Sequence, residues 1–222
     1  MASRWFILLA SLAFVQLGTS NPVPSSKNGD ASPYKTINTN DNYYLNAFFG
    51  MTIEKPDGWL EIDSEHLHSL LQTAVNEVTS KIKQISTESV ENVSLIPLIG
   101  FTKYPLGTEN GQTNANIIGV AEKITDEKIV GKDCDVFNAQ ALITSANNAI
   151  VSRGDCVEYT ANGLVYAAQE SLHNLGNSMI LKQTQLIRSA PNGYRFTFSL
   201  TYSNNNDKDV LFNCMNNVVF SK

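Results

Sequence analysis

The sequence predicts an α+β domain in which an antiparallel β-sheet is covered by helices. Two observations carry this reading. Element signals follow in the order strand, long helix, two strands, helix, several strands, helix, which suits a sheet with helices laid on it. One long amphipathic stretch, DSEHLHSLLQTAVNEVTSKIKQIS, has an apolar stripe that needs a flat surface to pack on.

The chain opens with MASRW and the apolar run FILLASLAFVQL, residues 6–17. Twelve residues fall short of the roughly 20 that a membrane-spanning helix needs, so the run reads as part of a cleavable secretory signal. Gly18 and Ser20 supply the small residues of a cleavage site, placing a signal peptide over 1–20. An uncleaved anchor is the alternative reading. Loss of this segment removes Arg4 alone among the charges, leaving a formal net charge of 15 − 21 = −6. Mild acidity without clustered Lys and Arg argues against nucleic-acid partners and an anionic membrane surface. Residues 21–42 hold three prolines and many small polar side chains, and are expected to form a flexible leader. Residues 43–222 then form a single domain with enough apolar content for one core.

The domain begins with NAFFGMTIEKPDGW. Phe49, Met51 and Ile53 alternate with Gly50, Thr52 and Glu54, as on a strand with one buried face. Pro56, Asp57 and Gly58 suit a tight turn, and Trp59 re-enters the core as an anchor. The long helix follows, capped by Asp63 or Ser64. Its stripe comprises Leu67, Leu70, Leu71, Ala74, Val75, Val78, Ile82 and Ile85. His66 and His68 stand about 200° apart around such a helix and share no metal.

Two strand-like runs, LIGFTKYPLG and NANIIGVAEKI, are joined by the polar TENGQT turn. A second helix is expected over residues 133–149, with Asp133 as cap and Val136, Ala139, Leu142, Ile143 and Ala146 buried. CVEYTANGLVYAAQE suggests a hairpin across Ala161, Asn162 and Gly163. SMILKQTQLIRS and YRFTFSLTY follow as strands, separated by Ala190, Pro191, Asn192 and Gly193. A final helix should begin near Asn206 and turn Val210, Leu211, Cys214 and Val218 inward.

With the elements in this order, FFGMTIEKPDGW resembles the opening motif of the PsbP and DcrB-like superfamily, and GYRFTFSLTYSNNND resembles that family's closing strand before its last helix. NIIGVAEKI and GKDCDVFNAQALI are similar in placement to a family strand and second helix. The resemblance covers nearly all of residues 43–222 through core and turn positions, and implies an α/β/α sandwich. It is nearly silent on activity. The superfamily includes extrinsic photosystem proteins, bacterial periplasmic or lipid-anchored proteins and a Ran-binding branch, most without known catalysis. This chain has no lipidation cysteine near its signal, so the resemblance carries over no membrane anchor.

No catalytic residue, cofactor or metal ligand is assigned. His173 lies in SLHNLGNS, and the chain has no Gly-x-Ser-x-Gly elbow to supply a partnered serine. Asp126, Glu127, Asp133 and Asp135 lack the spacing and glycine of a calcium loop, so capping and solvation explain them more simply. The leading expectation is a secreted, non-catalytic binding or structural module. An extracellular hydrolase assembled from distant residues, with His173 as base, is the first alternative. A carrier of small apolar molecules is the second. The ligand or partner is unknown: an extracellular protein or a small molecule.

Three cysteines allow at most one internal bridge. If residues 133–149 are helical, fifteen helical residues span about 22 Å, and the five or six that follow barely return that far. A bridge needs Cα atoms within about 7 Å. Cys134 with Cys214 is therefore the expected pair, on two helices covering one face. Three buried free thiols are the alternative.

Asn92, Val93 and Ser94 form a glycosylation sequon. In a eukaryotic secretory route Asn92 is expected to carry a glycan. The check is the mass of eukaryotically expressed protein before and after glycan-removing enzyme, and an unchanged mass counts against it.

Overall fold

A computed structural model describes residues 36–40, 42–85, 95–106, 114–124, 133–137, 150–174, 180–190 and 193–221. Within them the architecture is mostly antiparallel β-sheet with a few helices.

The large sheet takes β4 (Leu60–Glu61), β5 (Leu95–Thr102), β6 (Asn116–Lys123), β7 (Ile150–Arg153), β8 (Val157–Ala161), β9 (Leu164–Asn174), β10 (Ile180–Ser189) and β11 (Tyr194–Tyr202). Its order is β4-β5-β6-β11-β10-β9-β7, and β8 also pairs with β9, so β9 carries two partners in succession along one edge. A smaller sheet, β1-β2-β3-β12, is built from β1 (Thr36–Asn40), β2 (Tyr43–Asn46), β3 (Met51–Glu54) and β12 (Val219–Phe220). All these pairings are antiparallel.

Strand alternation sends different chemistry to the two faces of the large sheet. On one face Phe101, Ile117, Leu186, Phe196, Phe198 and Leu200 form the main core with Met51 and Ile53 of the small sheet and Leu211 and Met215 of the last helix. Phe49 packs edge-on against Phe196, and Tyr44 lies tilted against Phe101, with ring centroids 5.1 and 4.9 Å apart. Close approach here requires Gly119. A Cβ at that position would stand 2.8 Å from Phe198 Cε1 and 3.1 Å from Ile99 Cγ1.

The other face carries α1 (Ser64–Ile85) and α2 (residues 133–137). Asp63 caps α1 by accepting a hydrogen bond from the His66 N–H at 2.8 Å. Leu67 and Leu71 then pack on Ile62, Ile118 and Val120. Val136 and Phe137 of α2 pack on Ile187 of β10. The last helix, α3 (Asn205–Asn216), is capped by Asn204, whose side chain accepts from the Asp207 N–H.

The opening motif forms a strand, a turn and an anchor. Gly58 has φ +75° in the Pro-Asp-Gly turn, the Trp59 N–H donates to the Pro56 carbonyl, and Trp59 is buried. The predicted hairpin also forms, with positive φ at Asn162 and Gly163 joining β8 to β9.

Three expectations change. The folded part reaches back to Thr36, inside the expected leader, because backbone pairing to β2 holds a strand with little to bury. The layer on the main-core face contains a small sheet as well as a helix. The disulfide joins Cys134 to Cys156, with Cα atoms 5.8 Å apart, and not Cys134 to Cys214. The reach argument assumed a helix to residue 149, whereas the described helix covers 133–137 and β7 begins at Ile150. Residues 138–149, with Ala139, Leu142, Ile143 and Ala146, lie outside the described residues. Cys214 belongs to the main core, on the opposite side of the sheet from Cys134. Its thiol donates to the Glu54 carbonyl at 3.1 Å, and burial pushes its pKa up to about 12.

Gly119→Ala tests the tight spot in the core. With Phe198 fully buried, the added methyl is expected to destabilise by roughly 1–3 kcal/mol, as overpacked cores do. Urea denaturation reads the loss, and an unchanged midpoint would show that Phe198 gives way freely.

Candidate functional site

The helix-covered face of the large sheet is unusually polar for an interior. From β5 to β7 the register lines up Thr102, Asn116, Thr201, Gln183, Ser171 and Arg153, one from each of six strands. Thr102, Asn116, Thr201 and Gln183 are all buried, while Ser171 and Arg153 are half-buried. The apolar patch under α1 and the one under α2 flank this face at β6 and β10. Of the six, the two at the β7 end are the ones only half-buried.

Several polar atoms along the row are enclosed without a protein hydrogen bond. They are Asn116 Oδ1, Gln183 Oε1 and Arg153 Nη1, joined by His173 Nδ1 and Ser199 Oγ one register step to either side. A buried polar atom left unpaired costs about 1–3 kcal/mol, so five on one face call for an explanation. The Asn116 amide is oriented by its Nδ2, which donates to the Asn114 carbonyl at 2.9 Å, so its free atom is an acceptor. Gln183 Nε2 donates to Thr201 Oγ1 over a long 3.4 Å.

At the β7 end, Ser171 Oγ lies 2.8 Å from His173 Nε2. Strand alternation places the two side chains on one face, and this is the partner that sequence motifs did not supply. A serine two residues from a histidine within a strand was the available signal. The pair lacks what a catalytic dyad needs. Burial, reinforced by the neighbouring Arg153 cation, pulls the His173 pKa down to about 4, and no carboxylate is bonded to Nδ1. An imidazolium formed during proton abstraction would be desolvated and would face a guanidinium, so His173 is a weak base here. Arg153 has no ion pair among the described residues, and burial lowers its pKa.

A second charged cluster anchors α2. Arg195, almost wholly buried, meets Glu122 Oε1 at 3.1 Å and Asp133 Oδ1 at 3.5 Å. Asp133 also accepts from the Ser189 N–H at 2.9 Å and its hydroxyl at 2.6 Å. Burial pushes the Glu122 carboxyl up to about 7 against the pull of Arg195. Asp133, expected as a simple cap, thus joins helix to sheet, while Asp135 is exposed. Asp126, Glu127 and Asn92 lie outside the described residues. Among the described residues no group of three or more His, Cys, Asp or Glu side chains is placed to hold a metal, and no helix is long and apolar enough to cross a membrane.

No protein-family model and no curated protein matches the chain. Among solved structures it is similar to a cyanobacterial PsbP from Synechocystis sp. PCC 6803, with a TM-score of 0.46 and 12% identity over 88% of this chain and 98% of that one. It is similar to LpqN of Mycobacterium tuberculosis, described as involved in cell envelope biogenesis, with a TM-score of 0.44 and 11% identity over 78% and 83% of the two chains. A Bacteroides thetaiotaomicron VPI-5482 protein gives a TM-score of 0.44 and 10% identity over 82% of this chain. The chain spans about half the length of that protein, 48%.

The depressed His173 pKa has a signed consequence. Its native pKa of about 4 lies below the ordinary 6.5, so the unfolded chain binds the proton more tightly. Stability from the neutral imidazole is complete above pH 6.5 and is lost as pH falls towards 4. Relative to His173→Gln, the wild type should lose on the order of 3 kcal/mol across that window. Urea denaturation of both proteins at several pH values reads the difference, and parallel pH curves would contradict it.

Proposed function

We propose that this chain is a secreted, non-catalytic binding module whose ligand is a small polar molecule held along the Asn116–Arg153 row. The observation that carries the reading is the set of enclosed, unpaired polar atoms on one face of the sheet. Such atoms need hydrogen-bond partners, and a polar ligand supplies several at once. An apolar cargo would leave them unpaired, so the row favours a polar ligand over a carrier of apolar molecules. The disulfide supports an oxidising location, extracellular or periplasmic, and the signal-like amino terminus supports the same reading. Within this proposal the sheet with its helices is an α/β/α sandwich, and Asn92 is a glycan site wherever the host provides the machinery.

One feature favours the hydrolase reading, the 2.8 Å contact between Ser171 and His173. The weak basicity of His173 beside Arg153 weighs against it. Both residues fit a binding role better, the serine hydroxyl as an adaptable donor and acceptor and the neutral imidazole as a fixed polar wall.

Thermal-shift screening of the full chain against neutral sugars, acidic sugars, amino acids and organic acids tests this function. A ligand at one hundred times its Kd adds about 2.7 kcal/mol, equivalent to a rise of roughly 5–10 °C for a chain of this size. At least one polar compound should produce such a rise in the wild type and lose most of it in Gln183→Leu. The reading is overturned if no compound shifts the melting point or if every shift survives in the variant.

A further inference from the structure

The β7 end of the row differs from the rest in charge and exposure. Arg153 stands directly opposite Ser171 in the pairing of β7 with β9, and Ser171 shares its face with His173. Side chains in such a cross-strand pair start from Cβ atoms about 5 Å apart. Arg153 and Ser171 are half-buried, whereas Gln183 and Thr201, the next members of the row, are closed off. A ligand group that reaches this pair stops there.

Arg153 carries a positive charge that the described residues do not balance. None of the ion pairs among them includes it, and its Nη1 is enclosed without a hydrogen-bond acceptor. Burial lowers its pKa, as expected of a cation that has lost water without gaining an anion. A water molecule at Nη1 would supply the hydrogen bond but not the charge. An oxyanion supplies both, and a guanidinium binds one through two parallel N–H bonds.

Ser171 provides a second donor. The neutral imidazole of His173 carries one proton, and with that proton on Nε2 the ring donates to Ser171 Oγ over 2.8 Å. The hydroxyl then keeps its own proton to donate. The Gln183 carbonyl is a poor acceptor for it, at 3.5 Å. His173 Nδ1 has no hydrogen-bond partner, so nothing among the described residues opposes this tautomer.

Charge balance chooses between oxyanions. The pair offers one cation, and His173, with a pKa of about 4, adds none at neutral pH. A carboxylate brings a single negative charge and balances the pair. A phosphate group brings about 1.5 to 2 at neutral pH and leaves an excess.

We infer that Arg153 and Ser171 form a carboxylate site where β7 pairs with β9, the guanidinium gripping both oxygens and the hydroxyl bonding one of them. The ligand is a small organic acid, with its carboxylate on this pair and its remainder on the solvent side. This rests on the reading of this face as a polar ligand site, and asks for no contact with Gln183 or Asn116.

NMR titration of the full chain with acetate, acetamide and inorganic phosphate, at constant ionic strength, tests it on wild type, Arg153→Gln, Arg153→Lys and Ser171→Ala. Acetate should shift the Arg153 and Ser171 signals saturably, with the millimolar Kd of a single charge-assisted contact. Acetamide, which has the shape without the charge, should bind roughly ten-fold more weakly or worse, and phosphate roughly three-fold. Arg153→Gln should remove acetate binding, Arg153→Lys should keep part of it, and Ser171→Ala should weaken it roughly three-fold or more. Signal dispersion in the same spectra shows whether each variant is folded. Phosphate binding as tight as that of acetate overturns the carboxylate assignment. Acetamide binding equal to that of acetate, or acetate binding that survives in Arg153→Gln, overturns the anion site itself. Unchanged affinity in Ser171→Ala overturns the part given to the hydroxyl. No saturable shift from any of the three compounds overturns the inference, while a Gln183-dependent thermal shift from another compound would still support the row as a ligand site.

Discussion

A guanidinium buried at the centre of a sheet constrains much of what surrounds it. Arg195 lies on β11, between β6 and β10, and water does not reach it. Its charge is held by Glu122 from β6 and Asp133 from α2, and removing one partner of such a buried pair typically costs about 3–5 kcal/mol. Asp133 is also tied to Ser189 on β10, which sets where α2 meets the sheet. Cys134 follows immediately and is bonded to Cys156, just beyond β7. Arg153 closes that strand. The ion cluster and the disulfide thus fasten α2 to two separate parts of the sheet.

The two faces of the large sheet solve different problems. Aromatic and aliphatic side chains on one face interlock with the small sheet and α3 in the manner of an ordinary core. On the other, Thr197, Ser199, Thr201, Gln183 and Gln185 are just as enclosed but carry hydrogen-bonding groups. Groups enclosed there have lost contact with water, so that face relies on hydrogen bonds such as Gln183 to Thr201 where the other relies on apolar packing.

Much of the fold was legible from residues alone because local rules governed it. The Asn162-Gly163 turn, the Asp63 cap, the Pro-Asp-Gly turn before Trp59 and the helix near Asn206 each rest on a neighbourhood of a few residues, and each is present. The Cys134 partner depended on the path of residues 138–149, and a spacing argument that assumed helix there pointed to the wrong pairing. β1, β4 and β12 are short or polar strands held by backbone pairing, with no periodic pattern to reveal them. The candidate site was the least legible part. Alternation in YRFTFSLTY and ILKQTQLIRS ordinarily implies that the polar side faces solvent, and only the strand register shows six polar residues aligned and largely enclosed. His173 was noticed as an isolated histidine, whereas its meaning comes from Ser171 and Arg153.

The Cys134–Cys156 bond closes a segment with a sequence separation of 22 that contains β7 and ends beside the sheet edge. β7 ends in Arg153, and among the described residues its pairing is with β9. Closing a loop of that length stabilises the folded chain by about 3 kcal/mol, which makes the hold on β7 dependent on the redox state of its surroundings.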